Sequence, residues 1–156
     1  MKVEASVCPA DKKLVEEYVK RCMRLLRKKE YELDLPTDCW KKAVEVLSVG
    51  NRHSRSKAGA HIIRINLGGS GFYKTFTEYK AFADHPTIGS IAVNSAEDFI
   101  KVLVAHEVSH HVQYRYAWRI KRFKKTYRKP HGECFRAIYG YLRRDLVNPE
   151  IKGEGA

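Results

Sequence analysis

A metal-ligand pattern inside an apolar stretch constrains this chain more than any other feature: His106, Glu107 and His110 lie in the run His-Glu-Val-Ser-His. Residues four apart on an α-helix lie nearly above one another, so both imidazoles can hold one metal ion from the same helix face. The glutamate beside the first histidine can take a proton from a water molecule next to that metal. The pattern therefore predicts a helix carrying two ligands and the general base of a zinc hydrolase.

The residues around the motif predict where this helix begins and that it is buried. Ser95 can cap the helix, and Asp98 follows three residues later, as in a capping box. Apolar residues then occupy most sides of the helix: Phe99, Ile100, Val102, Leu103, Val104, Ala105, Val108 and Val112. A helix of this kind belongs inside a protein, where histidine and glutamate side chains need polar partners or a metal.

His131 is the best candidate for a third ligand, which a catalytic zinc site normally requires. It precedes Gly132, at the start of a second helical pattern whose apolar residues recur at steps of three and four: Phe135, Ile138, Leu142 and Leu146. Gly132 is expected to let the backbone pass close to the motif helix.

Other residues remain open as the third ligand. His111 follows His110 directly and points about 100° away around the helix, so we interpret it as a surface residue or as support for a ligand. Glu133 is a second alternative. Three upstream histidines are weaker ones: His53, His61 and His85.

Together, these two segments resemble the SprT-like zinc metallopeptidases. That family combines an H-E-x-x-H helix with a later H-G-x-x-F that opens the next helix, and residues 106–110 and 131–135 match both parts in order. The resemblance covers residues 95–146. It implies a zincin-like metallopeptidase domain in which His106, His110 and His131 hold Zn²⁺ and Glu107 is the catalytic base. It also implies substrates that are proteins bound or crosslinked to DNA.

The chain departs from the family in its cysteines and in its connection between the ligands. The cysteines Cys8, Cys22, Cys39 and Cys134 are scattered without a C-x-x-C pair, so no four-cysteine zinc ribbon is expected. Free, mostly buried thiols and the lack of a secretion signal indicate an intracellular protein, in the cytoplasm or at the nucleoid. The connection between His110 and His131 is longer than is usual in the family, and it is very basic.

Positive charge is concentrated in that connection. The chain has 30 Lys and Arg against 18 Asp and Glu, a formal net charge of +12, yet no acid lies between residues 108 and 132. Within residues 115–129, here called the basic segment, lie the cations Arg115, Arg119, Lys121, Arg122, Lys124, Lys125, Arg128 and Lys129. The aromatic residues Tyr116, Trp118, Phe123 and Tyr127 are interleaved with them.

Such a segment favours contact with single-stranded or frayed DNA, because cations neutralise phosphates and rings such as Trp118 stack on unpaired bases. The alternative interpretation is a solvated connection whose aromatic residues pack on the core. An acidic protein substrate fits the same charge.

The remaining sequence predicts one α+β domain over residues 1–150 and a flexible tail over 151–156. Helices are expected over residues 11–29 and, more briefly, 36–47, the second ending at Gly50. Strands are expected over 61–67, 72–82 and 89–93, with a glycine-rich turn over 68–71. An extended substrate could pair with a strand edge at 61–64 or 89–93. No apolar run reaches the ~20 residues that cross a bilayer.

These patterns predict a zinc-dependent endopeptidase. Tyr139, Tyr141 and His111 are open candidates for stabilising the oxyanion. The alternatives are a non-proteolytic nucleic-acid-binding protein with a structural zinc and a zinc hydrolase acting on another bond. Retention of Glu107 argues against the alternative with a structural zinc, because a structural site needs no base.

Overall fold

The structure, a computed structural model, describes residues 7–41, 44–47, 57–67, 88, 93 and 95–151. Within them, helices and three short strands form an α+β arrangement, as the sequence predicts. The helices are α1 (Pro9–Leu26), α2 (Ala96–Arg115), α3 (Glu133–Leu142) and α4 (Asn148–Ile151). The strands are β1 (Glu45–Leu47), β2 (Lys57–Ala58) and β3 (Ile63–Asn66). Ile151 ends α4, and the rest of the predicted tail lies outside the described residues.

Helix α2, which carries the motif, is the centre of the domain and packs against α1, α3, β2 and β3. It begins where the capping pattern predicts: the Ser95 Oγ accepts a hydrogen bond of 3.1 Å from the Asp98 amide. The predicted apolar residues Phe99, Ile100, Val102, Leu103, Val104, Ala105, Val108 and Val112 are all buried. Because neighbours cover α2 on several sides, five of its polar residues also lie inside the protein: Glu107, Ser109, His110, His111 and Gln113.

Helix α1 follows the expected spacing, with a buried face formed by Val15, Tyr18, Val19, Cys22, Met23 and Leu26. It begins at Pro9. Proline suits the first turn because it has no amide N–H, and amides of the first turn have no hydrogen-bond partner within the helix. The helix ends three residues before the predicted end at residue 29, and a separate 3₁₀ turn spans Lys29–Tyr31. Glu32 and Asp34 then adopt left-handed conformations, with φ of 53° and 51°.

The helix predicted over residues 36–47 is wrong. Cys39–Lys41 forms only a 3₁₀ turn, and Glu45–Leu47 is strand β1. Strand β1 runs parallel to β3, with Val46 opposite Ile65. Its pairing partner is remote in sequence, so the spacing of apolar residues around Val46 could not reveal it. Gly50 lies outside the described residues.

The predicted strand over residues 61–67 is confirmed as β3, and it is the middle strand of the sheet order β1-β3-β2. Strand β2, which the sequence did not predict, pairs antiparallel with β3 through Lys57–Arg64 and Ala58–Ile63. The expectation that residues 61–64 offer a free edge is therefore wrong, because both sides of β3 are paired. Residues 68–87 and 89–92 lie outside the described residues, and with them the other predicted strands and the glycine-rich turn.

A loop that follows α1 fastens the basic segment to the domain. The Arg122 guanidinium donates hydrogen bonds to the carbonyls of Tyr31 (2.8 Å) and Glu32 (3.3 Å). The Arg119 guanidinium donates one of 3.3 Å to the Asp34 carbonyl. Two of the eight predicted DNA-contacting cations therefore also have a structural role.

All four cysteines are free, as expected, and three are buried while Cys8 is exposed. Among the described residues, no helix combines the length and the apolar character that crossing a bilayer requires.

Arg122→Ala should lower the free energy of unfolding by about 1 kcal/mol, because two backbone carbonyls lose a donor. Arg122→Lys should restore only part of this stability, since an ammonium group cannot span two acceptors as the guanidinium fork does. Urea denaturation measures both variants, with the exposed neighbour substitution Lys121→Ala as the control of unchanged stability. If Arg122→Ala unfolded at the same urea concentration as wild type, Arg122 would not stabilise the domain through these carbonyls.

Candidate metal centre

Three histidines meet where α2 faces the start of α3. His106 and His110 lie one helical turn apart on α2, and His131 comes from the turn just before α3. The His131 Nε2 lies 3.3 Å from the Nε2 of His110 and 3.3 Å from the Nε2 of His106. One ligand atom from each of the three lies within 4.8 Å of the others. The structure therefore brings together all three predicted ligands.

These distances suit a shared metal ion. Nitrogens bound at about 2.05 Å to a tetrahedral zinc lie about 3.3 Å from one another. Three imidazoles also form one of the donor sets found in catalytic zinc sites, which leave a fourth position open. The three histidines therefore fit a zinc ion, although they would also accept another transition metal that favours imidazole.

An aromatic wall holds the three rings in place. The Phe135 ring stacks on His110, with centroids 4.3 Å apart, and it lies 5.0 Å from the rings of both His106 and His131. Tyr139 meets the His106 ring edge-on at 5.4 Å. Phe135 and Tyr139 are fully buried. Phe135 thus restricts the orientation of all three proposed ligands, and Tyr139 restricts that of His106.

Burial sets the protonation of the cluster. It lowers the pKa of His110 to about 4, although the hydrogen bond that Gln113 accepts from this ring acts to raise that pKa. It also lowers the pKa of His131. Both imidazoles are therefore neutral near pH 7, which is the form that ligates a metal.

Glu107 is the buried carboxyl group of the motif, with 7% of its surface exposed. It is three residues before His110 and therefore its neighbour on the helix surface. Burial raises the pKa of Glu107 to about 8. A cation nearby favours the charged form and acts against that rise, so a bound metal would bring this carboxyl group into the range of a general base working near neutral pH.

The alternative third ligands lie elsewhere. Glu133 is exposed, and neither it nor His111 belongs to the three-histidine group. His111 is buried and shares a hydrogen bond of 2.7 Å between its Nδ1 and the Gly59 carbonyl. Its interpretation as a surface residue is therefore wrong: this bond joins α2 to the end of β2, on a different side of the helix from His110. His61 is exposed, whereas His53 and His85 lie outside the described residues.

Gly132 is needed for a reason other than the predicted one. A Cβ atom at this position would lie 2.7 Å from the Cβ of Lys129, in the preceding turn. A larger residue at Gly132 is thus excluded by Lys129, within the turn that carries His131, and not by α2.

The residues suggested for oxyanion stabilisation have other contacts. The Arg143 guanidinium donates a hydrogen bond of 3.3 Å to the Tyr139 hydroxyl, and the Tyr141 ring packs on Tyr31 with centroids 4.8 Å apart. Tyr114, which the sequence did not single out, lies parallel to the His110 ring at 6.1 Å and is partly exposed. Its position one turn after His110 is the sequence signal that could have indicated it.

Gln113 is the other residue that sequence reasoning missed. It is fully buried and contacts His110. A long polar side chain three residues after the second histidine, within an otherwise apolar helix, is the signal that could have revealed it.

The basic segment is only partly accessible to a ligand. Phe123 is buried and Tyr116 and Tyr127 are half-buried, which fits the interpretation of aromatic residues packed on the core. Trp118 differs, because 51% of its surface is exposed. The cations Arg115, Arg119, Lys121, Arg122, Lys124, Lys125, Arg128 and Lys129 are all exposed.

No family model, no curated protein and no solved structure matches this chain. Its functional assignment therefore depends on the motif residues and on the geometry of the three-histidine group.

The wild-type protein should bind about one zinc ion per chain, and His131→Ala should lose most of it, because two imidazoles alone hold zinc weakly. His61→Ala is the matched control, since it removes an exposed imidazole outside the group. Metal analysis of the purified variants makes the comparison. Equal zinc in His131→Ala and wild type would exclude His131 as a ligand.

Proposed function

We propose that this protein is a zinc-dependent endopeptidase with a zincin-like domain related to the SprT-like metallopeptidases. One observation carries the proposal: three histidine nitrogens converge at metal-ligand distances, and the helix that supplies two of them also carries the buried carboxyl group of Glu107. A structural zinc site has no use for a buried carboxyl group, and burying one without a partner is costly. This combination favours hydrolysis over a purely structural metal.

His106, His110 and His131 would hold the zinc ion through their Nε2 atoms. When bound, zinc polarises a substrate carbonyl and makes a water molecule more acidic. Glu107 then removes a proton from the attacking water as its oxygen bonds to the carbonyl carbon. Glu107 delivers that proton to the amide nitrogen as the carbon–nitrogen bond breaks, so the carboxylate is regenerated for the next turnover.

An extended peptide could approach the site along the sheet. Among the described strands, β2 lies at an edge of the sheet and packs against α2. The bond between the His111 ring and the Gly59 carbonyl fixes the end of β2 against the helix that carries the motif. Backbone hydrogen bonds to such an edge bind many sequences, because they do not depend on side chains.

The basic segment supports a substrate protein that is bound or crosslinked to DNA. Exposed cations and the exposed Trp118 ring lie between the second and third proposed ligands in the chain. Phosphate binding there would hold a DNA-bound or DNA-crosslinked protein near Glu107. Stacking on Trp118 favours single-stranded or frayed DNA over an intact duplex.

Glu107→Gln should lower the rate of hydrolysis by at least about 100-fold, because the amide cannot accept the proton from water. It should keep the fold and the zinc, since the isosteric amide fills the same space. Casein or histone cleavage, with and without single-stranded DNA, measures the effect.

Glu133→Gln is the control for this experiment, because it makes the same chemical change at an exposed position outside the histidine group. Cleavage by wild type that survives in Glu107→Gln would contradict the mechanism. A zinc-loaded wild type that binds DNA but cleaves no protein would favour the non-proteolytic alternative.

Replacing Lys121, Lys124 and Lys125 with glutamate should weaken DNA binding and flatten its salt dependence. The slope should fall by about 0.7 for each phosphate of a single strand that the variant no longer neutralises. These lysines are better targets than Arg119 and Arg122, which bind backbone carbonyls of the domain. Trp118→Ala should cost single-strand binding more than duplex binding. Mobility-shift titration over a range of salt concentrations measures all three effects.

The control variant replaces Lys12, Lys28 and Lys29, which are exposed and lie outside the basic segment, with glutamate. It changes the net charge by the same amount. Equal DNA affinity of the two triple variants would mean that net charge alone attracts DNA and that the basic segment is no specific binding surface.

A further inference from the structure

One buried side chain joins two of the proposed metal ligands. Gln113 lies three residues after His110 on α2 and is fully buried. Its Oε1 is 3.1 Å from the Nδ1 of His110. Its Nε2 donates a hydrogen bond of 2.6 Å to the carbonyl of Lys129, two residues before His131.

The chemistry of these partners determines the direction of both hydrogen bonds. A backbone carbonyl can only accept, so the amide nitrogen of Gln113 must face Lys129. The Gln113 oxygen then faces His110, and an amide oxygen can only accept as well. The His110 Nδ1 must therefore carry the proton.

This assignment leaves the Nε2 of His110 with its lone pair. That atom is the one that lies 3.3 Å from the Nε2 of His131, inside the three-histidine group. The hydrogen bond from Nδ1 thus selects the tautomer that can bind a metal and fixes the plane of the ring.

The second bond of Gln113 acts on the turn that carries His131. The Lys129 carbonyl also accepts a hydrogen bond of 3.2 Å from the Gly132 amide, which closes this turn around His131. The turn is tightly packed, because a Cβ atom at Gly132 would lie 2.7 Å from the Lys129 Cβ. Anchoring the Lys129 carbonyl to α2 therefore restricts where His131 can lie relative to His110.

We propose that Gln113 is a positioning residue of the metal site, which holds His110 in its Nε2-ligating form and fixes the His131 turn against α2. The proposal rests on the three-histidine site of the proposed function and is independent of whether the bound metal cleaves peptides. Removing the hydrogen-bond partner of a ligating histidine typically changes metal affinity by about 10–100-fold.

The test compares Gln113→Met with Gln113→Glu in the full chain, using zinc alone as the ligand in a chelator competition. Methionine fills a similar volume but makes neither hydrogen bond, so zinc affinity should fall by about 10–100-fold. Glutamate keeps an acceptor for the His110 Nδ1–H but has no donor for the Lys129 carbonyl, so Gln113→Glu should bind zinc more tightly than Gln113→Met and more weakly than wild type. This rescue separates positioning from a loss of packing.

Two further measurements exclude a merely structural role. Val19→Ala removes buried apolar volume from α1, so it should lower stability while leaving zinc affinity unchanged. Cobalt(II) in place of zinc gives a visible absorption spectrum that depends on the ligand set, and this spectrum should change in Gln113→Met and persist in Val19→Ala. If Gln113→Met does not fold, Gln113→Glu decides the question: zinc affinity below that of wild type with a cobalt spectrum that keeps the three imidazoles supports the proposal, and wild-type zinc affinity contradicts it.

Wild-type zinc affinity in Gln113→Met, or a loss no larger than in Val19→Ala, would overturn the proposal while leaving the metal site intact. A wild type without zinc binding would instead overturn the site itself. Peptide cleavage does not enter this experiment, so the two failures are distinguishable.

Discussion

Burial of α2 on several sides is the constraint on which the other features depend. A helix with one apolar face could leave its histidines in water, but α2 packs against α1, α3, β2 and β3. Each polar group that it carries inside then needs a partner. Ser109 donates to the Ala105 carbonyl, His111 binds the Gly59 carbonyl and Gln113 binds His110 and Lys129. His106 and His110 turn instead towards His131, where a metal can satisfy all three rings.

The connection between His110 and His131 combines an anchored part with an exposed part. Arg119 and Arg122 bind carbonyls of the loop after α1, and Phe123 is buried, so part of this connection is held firmly. Its other cations and Trp118 face solvent. A firmly held backbone that presents exposed charges suits a surface for phosphates, because less conformational freedom is lost on binding.

Features that depend on local spacing could be predicted from the sequence. The cap at Ser95, the burial of α2 and the meeting of His106, His110 and His131 follow from helical periodicity and from motif order. The strand β1 could not be predicted, because its hydrogen bonds join residues that are remote in sequence, such as Val46 and Ile65. The role of His111 and the anchoring bond of Gln113 could not be predicted for a similar reason: their partners, Gly59 and Lys129, offer backbone carbonyls, which any residue type provides.

If the three histidines form the metal site, three imidazole nitrogens hold the ion and leave one position open. X-ray absorption spectroscopy of the zinc-loaded protein tests this most directly, because zinc–nitrogen and zinc–sulfur distances differ. We predict three imidazole nitrogens and one further light atom, all at about 2.0–2.1 Å from the zinc. A sulfur at about 2.3 Å would place the zinc on the cysteines and contradict the three-histidine site.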